Sequence, residues 1–219
     1  MSHNFVEIRD LFEHWYARSK QVAPVRIAKM TRGSLIEKFA EFGLTKGAEI
    51  GVDRGSFSLY MCKKIEGLEL LCVDPWRERQ RGQERYETTK KKLAPYNVTL
   101  ARTTSVLASL EVEDESLDFV YIDGDHTFDS VMLDIILWTR KVRFGGVVSG
   151  HDYYRFRRAG IVPAVDVFTQ QHGISEWFLT DEKEATFFWA RQPHFVDPLR
   201  FEGSLTDDTE DGAWKKAIA

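Results

Sequence analysis

Leu117-Asp118-Phe119-Val120-Tyr121-Ile122-Asp123-Gly124-Asp125-His126 is the stretch whose reading decides the fold. Its apolar part is short, rich in aromatic and β-branched side chains, and stopped by Gly124, which suits a buried strand better than a helix. Two carboxylates and an imidazole then fall at the strand's carboxyl edge. In open α/β sheets ligands bind in the crevice outside those edges, so polar groups gathered there mark a candidate site.

Working outward, Phe128, Val131, Met132, Ile135, Trp138 and Val142 recur at helical spacing, and Gly145-Gly146 turns into a further strand over 147–150. Upstream, residues 48–56 run strand, Gly-rich turn, helix. A strand over 69–74 closes at Pro75, a charged helix covers about 83–93, and another strand spans 97–102 before Thr103-Thr104-Ser105 opens a short segment. Strand and helix alternate throughout, the signature of a parallel doubly wound α/β sheet. Pro163 starts a later helix that Gly173 ends. Strands near 175–179 and 185–191, joined through 180–184 as a hairpin, make one edge antiparallel.

Three regions follow. Residues 1–46 form an N-terminal helical cover, with Phe5, Ile8, Leu11, Phe12, Trp15 and Tyr16 on one helix over about 4–18, a surface for the site or for a homodimer partner. A second helix opens with a capping box, Ser34 and Glu37, and stops at Gly43. Residues 47–192 hold the ligand-binding domain, and 193–219 form an irregular tail with an acidic stretch over 206–211.

At 219 residues and 43% hydrophobic, the chain can bury one substantial core. A net charge of -4 excludes a broad basic field, so nucleic acid is a poor partner; the basic runs at 77–85, 90–92 and 155–158 read as solvated faces. Cys62 and Cys72 lack metal-type spacing and suit reduced core thiols in the cytoplasm. No apolar run approaches the roughly 20 residues that cross a bilayer.

Glu49-x-Gly51-x-x-x-Gly55-Ser56 places glycines where backbone must approach a ligand at a helix amino end. The dinucleotide fingerprint needs a glycine where Asp53 stands, and a pyrophosphate beside that carboxylate would be repelled. Asp74, about 20 residues on, suits both hydroxyls of a ribose. A nucleoside without phosphate fits both facts. S-adenosylmethionine is one, its sulfonium and ammonium favoured by Glu49 and Asp53. Trp76 either packs on the adenine or serves as a core aromatic.

The segments GAEIGVDRGSFS, LLCVDPW, LDFVYIDGDHTFDSVMLDI, FGGVVSGHDY and VPAVDVF, across roughly 47 to 168, resemble the class I S-adenosylmethionine-dependent methyltransferases, and within them methyltransferase family 24 with its antibiotic-sugar O-methyltransferases. The resemblance implies a seven-stranded sheet whose last strand inserts antiparallel. It places Ser105 near adenine, although a helix cap is an equally economical role, and counts Asp123 in the cofactor wall. Matching the D-x-x-H pattern of metal-dependent sugar O-methyltransferases, it assigns Asp123 and Asp152, with His151, to Mg2+ or a similar divalent ion and His126 to the general base. Those relatives generally carry an acid where His151 stands, and imidazole shifts the site towards transition metals.

Two other readings stay open. Without metal, His126 or His151 removes the acceptor's proton directly. In a purely structural role, the histidines bond loops while Asp125 caps the helix starting at Thr127. Tyr153, Tyr154, Arg155 and Arg157 suit a sugar, a phenolic glycoside or an anionic acceptor. The rivals are a nicotinamide-dependent oxidoreductase and a non-catalytic nucleoside-binding assembly protein.

Overall fold

The computed structural model describes residues 6–77, 79–156 and 159–192; Phe5, Arg157 and the tail from 193 with its acidic stretch lie outside the described residues. The elements run α1 (Ile8–Ser19), β1 (Val25–Arg26), α2 (Arg32–Glu41), β2 (Lys46–Ile50), α3 (Ser56–Lys64), β3 (Glu69–Val73), α4 (Arg79–Leu93) and β4 (Val98–Ala101). Then come α5 (Ser105–Leu110), β5 (Leu117–Ile122), α6 (Phe128–Thr139), β6 (Val142–Tyr153), α7 (Ile161–Gln171), β7 (Phe178–Leu179) and β8 (Ala185–Ala190).

One eight-stranded sheet carries them, in the order β1-β7-β8-β6-β5-β2-β3-β4. β2, β3, β4, β5 and β6 are mutually parallel, and β8 lies antiparallel between β6 and β7. The architecture is the α/β one expected, with the last strand inverted as the resemblance implied. The eighth strand is the correction. β1 is two residues long, too short to leave a period, and is held by Val25 N–H to the Trp177 carbonyl at 3.0 Å and Ile27 N–H to that of Leu179 at 2.9 Å.

The two faces of the sheet bury separate apolar layers. Phe119, Val147 and Phe188 point to the side of α1, α2 and α3, where Phe39 packs 5.0 Å from Phe119. Val120, Val148 and Trp189 point to the side of α6 and α7, against Trp138 and Phe168. Alternation along a strand sends neighbours to opposite faces, so a sheet covered on both sides reads as a continuous apolar run. Gly47 belongs to this packing, because a Cβ there would lie 2.2 Å from the Phe119 ring.

Three local expectations change. The apolar face of α1 meets its own sheet, with the Phe12 ring 5.3 Å from Phe188 and 5.4 Å from Phe178, so it is not left over for a second protomer. α2 is capped one turn earlier than expected: Thr31 Oγ1 accepts from Ser34 N–H at 3.1 Å, Ser34 Oγ accepts from Thr31 N–H at 2.8 Å, and Glu37 pairs with Lys64 at 2.6 Å. Gly145-Gly146 is an irregularity inside the long β6 rather than its start, with Gly145 at φ 74°. Among the described residues, no helix is long and apolar enough to cross a membrane.

Candidate functional site

The carboxyl ends of β2, β3 and β5 are stitched together before any ligand is considered. Gly51 N–H donates to the Val73 carbonyl at 2.9 Å and Asp123 N–H to the Ile50 carbonyl at 2.7 Å. Gly51 sits at φ 90°, and a Cβ on it would lie 2.1 Å from the Asp123 carbonyl oxygen, so only glycine lets these two turns meet. The turn after β2 is fixed from β3. Asp74 Oδ2 accepts from Val52 N–H and Asp53 N–H, each at 3.0 Å, and its Oδ1 accepts from Trp76 N–H at 2.7 Å.

Above these ends opens a cleft of about 560 Å³. Of the residues expected around the cofactor, Gly51, Asp53, Asp74, Trp76, Ser105 and Asp123 line it, while Glu49, Gly55 and Ser56 are not among its lining residues. Glu49 is 2% exposed and accepts a short hydrogen bond from Ser58 Oγ; burial pushes its carboxyl up to about 8, against the lowering effect of that bond. At neutral pH it is a proton carrier inside the core, not a counter-charge in the cleft. Gly55 makes room for the Thr89 methyl, which a Cβ would approach to 2.8 Å, and Ser56 Oγ accepts from Lys92 Nζ at 3.2 Å.

Two cofactor roles are narrowed. A carboxylate has roughly four acceptor positions, and Asp74 already fills three with backbone amides. It retains room for one ribose hydroxyl rather than both. Trp76 is 4% exposed, set edge-on to Tyr86 at 5.1 Å, and its Nε1 donates to the Asp53 carbonyl at 2.8 Å. Its indole braces the wall of the cleft from a buried position. Ser105 is the first residue of α5, with Thr104 as the cap, and its Oγ accepts from Trp138 Nε1 at 2.7 Å.

The cleft's acidic floor continues into a polar cluster at the ends of β5 and β6. Asp152 lies between two imidazoles, its Oδ2 3.1 Å from His126 Nε2 and its Oδ1 3.2 Å from His151 Nδ1. His151 Nδ1 is also 3.9 Å from Asp123 Oδ2. The bond from His151 holds Asp152 below the usual carboxylate range, whereas burial raises Asp123, aided by the charge of Asp152. Gly160 N–H donates to the His126 carbonyl at 2.7 Å and so ties that loop to the start of α7.

Asp123, His126 and Asp152 each offer a ligand atom within 4.8 Å of the others. The imidazole in this group is His126, where His151 was expected as ligand and His126 as base. Asp125 Oδ1 accepts from Thr127 N–H at 2.8 Å, while Thr127 itself caps α6. Tyr153 is committed to the fold, its hydroxyl donating to Asp166 at 2.6 Å and its ring edge-on to Trp177. Tyr154 lies 5.8 Å from Phe156, and Arg155 is exposed.

Two residues near the site escaped the sequence reading. Arg32, at the start of α2, lies over the Phe57 ring at 4.8 Å, and its positive charge lowers the carboxyls of Asp123 and Asp152. It comes from far upstream, and no local motif announces it. Asp134 lines the cleft from α6, and its signal was present as a lone acid on an apolar helix face.

Residues 48–153 match methyltransferase family 24, described as a methyltransferase domain. An uncharacterized protein of Acanthamoeba polyphaga mimivirus is 29% identical over 133 residues, 54% of this chain and 56% of its own length, so the chain spans little more than half of that relative. Among solved structures, an O-methyltransferase from Bacillus cereus in complex with S-adenosylhomocysteine matches with TM-score 0.57 at 13% identity, over 82% of this chain and 88% of that one. An O-methyltransferase of tomaymycin synthesis from Streptomyces achromogenes, in complex with S-adenosylmethionine, matches with TM-score 0.56 at 14% identity, over 74% and 79%. Likeness at that identity establishes the shared fold.

Proposed function

We propose that residues 48–153, which match the methyltransferase family model, act as a class I S-adenosylmethionine-dependent methyltransferase domain, and that the chain methylates a hydroxyl group of a small molecule. The observation that carries the proposal is Asp152 between His126 and His151, beside the Asp123 that walls the cleft together with Asp53 and Asp74. S-adenosylmethionine, when bound, supplies a methyl group on a positively charged sulfur that departs as a neutral thioether. The donor fits this cleft, because its carboxylates favour a cation and would repel the pyrophosphate of a nicotinamide coenzyme.

An acceptor hydroxyl must lose its proton as the methyl group arrives. His126 Nε2 and His151 Nδ1 both lie against the Asp152 carboxylate, which leaves the other nitrogen of either ring to take that proton. His126 is the more open of the two, its side chain 49% exposed against 14% for His151. A base that must reach an incoming acceptor is better served by His126. Asp152 fixes its orientation and stabilises the charge it gains, as a positioning residue.

A second reading has its own observation, the convergence of Asp123, His126 and Asp152. These residues would hold a divalent ion, and the mixed oxygen and nitrogen set suits Mn2+ or Zn2+ better than Mg2+. The ion would lower the pKa of the acceptor hydroxyl, and His151 would then be the remaining base. In either reading residues 47–192 form the catalytic unit and 1–46 its cover. Cys62 and Cys72, both buried and free, support a reducing cytoplasmic setting.

Calorimetry with S-adenosylhomocysteine and NADH tests the donor: uptake of the first alone is expected, and uptake of NADH alone overturns the proposal. Transfer of labelled methyl from S-adenosylmethionine to sugar and phenolic acceptors then tests the reaction. Repeating it after chelation, with Mn2+ or Mg2+ restored, separates the two readings.

A further inference from the structure

Asp134 stands on the inward face of α6 beside Val131, Ile135 and Trp138, and it is 6% exposed while lining the cleft. A carboxylate buried among apolar side chains is costly unless something donates to it. One donor is present. Trp138 Nε1 donates to Ser105 Oγ at 2.7 Å, and Ser105 in turn hydrogen-bonds Asp134. An indole nitrogen can only donate and a serine has a single proton, so the chain runs one way and Asp134 is its acceptor. That bond accounts for one of its acceptor positions. Burial raises the Asp134 carboxyl to about 6, which leaves it chiefly ionised at neutral pH and able only to accept.

Asp134 lines the cleft together with Val106 of α5 and Leu133 of α6, apolar side chains able to contact a flat ring. The polar cluster of Asp123, His126 and Asp152, where the methyl group must be delivered, lies beyond the carboxyl end of β5. The donor's sulfur belongs near that cluster, so its nucleoside base extends towards α5 and α6. A purine there would have apolar contacts on its faces and a hydrogen-bond acceptor at its edge.

We infer that Asp134 selects the base of the methyl donor by accepting a hydrogen bond from the exocyclic amine of adenine. The inference rests on the methyl-donor reading above and adds to it a residue that determines which nucleoside is held. A site built to hydrogen-bond one substrate group rejects the analogue that lacks it, because the buried acceptor is left without a donor. Were Asp134 only an anchor for Ser105 and Trp138, the group at that ring position would be indifferent.

Calorimetry on the whole chain tests this with S-adenosylhomocysteine and its analogue bearing unsubstituted purine, which lacks the amine. The unaltered protein is expected to bind the analogue at least tenfold more weakly, and Asp134→Ala to narrow that ratio below threefold. If Asp134→Ala does not give a cooperative melt, Asp134→Leu, which fills the space with an apolar group, serves the same comparison. Equal binding of both nucleosides by the unaltered protein overturns the inference and leaves the methyl-donor reading standing. A variant that keeps the full ratio also overturns it. Failure of the unaltered protein to bind either nucleoside overturns both.

Discussion

Glu49→Gln should make the protein more stable, and increasingly so as pH rises. Glu49 is 2% exposed, accepts from Ser58, and has its carboxyl raised from 4.5 to about 8, chiefly by burial and further by the charge of Asp123. Below about pH 4.5 the folded and unfolded chains both carry the proton, and the group is neutral in the balance. Between that pH and about 8 the folded chain keeps the proton while the unfolded chain has released it. Stability therefore falls as pH rises through this window, and the loss is complete above it. At about 1.4 kcal/mol per pKa unit the full penalty is at most about 5 kcal/mol, and water entering around an ionised Glu49 would reduce it. Glutamine keeps an acceptor for Ser58 and removes the titration. Urea unfolding of both proteins from pH 5 to 9 isolates the effect, since every other titrating group is common to the pair. A stability difference between the two proteins that stays constant over that range would refute the reasoning.

Gly51→Ala should abolish uptake of S-adenosylhomocysteine and cost at least about 3 kcal/mol of stability, because the new Cβ meets the Asp123 carbonyl oxygen at 2.1 Å at φ 90°; calorimetry and thermal melting read the two effects. Asp152→Asn should lower kcat by roughly 10² to 10⁴ by disorienting the base, with nucleoside affinity changed less than about threefold. Asp118→Ala removes the acceptor of Thr45 N–H and Lys46 N–H, each at 2.9 Å, and of Arg143 Nε at 2.7 Å. It should cost about 2 to 4 kcal/mol in urea unfolding and leave nucleoside binding intact, since Asp118 lies at the amino end of β5, opposite the cleft.

The order of elements and the meeting of Asp123, His126 and Asp152 were legible because both depend on local pattern. A buried strand run ending in carboxylates announces the edge of a parallel sheet, and neighbouring strands bring their edges together. What the pattern missed depends on distant contacts. β1 gains its strand character from Trp177 and Leu179, and Arg32 reaches the acidic cluster from α2. Glu49 was read as a ligand group because of its place before Gly51, yet strand alternation turns it into the core beside Ser58. Asp134 was legible in principle: an acid three positions after Val131 and four before Trp138 occupies a core position. Periodicity alone does not say whether such an acid is tolerated or used.

The inverted placement of β8 sets an order of events during synthesis. Among the described residues β7 pairs with β8 and β1 alone, and Phe12 of α1 packs on Phe178 and Phe188. The Phe12 face of α1 thus finds these two partners only after β7 and β8, which follow β6 in the chain, have been translated. The parallel strands between α1 and β7 can pair meanwhile, so a nascent chain exposes the Phe12 side of α1 until β7 and β8 arrive, a surface of the kind chaperones shield.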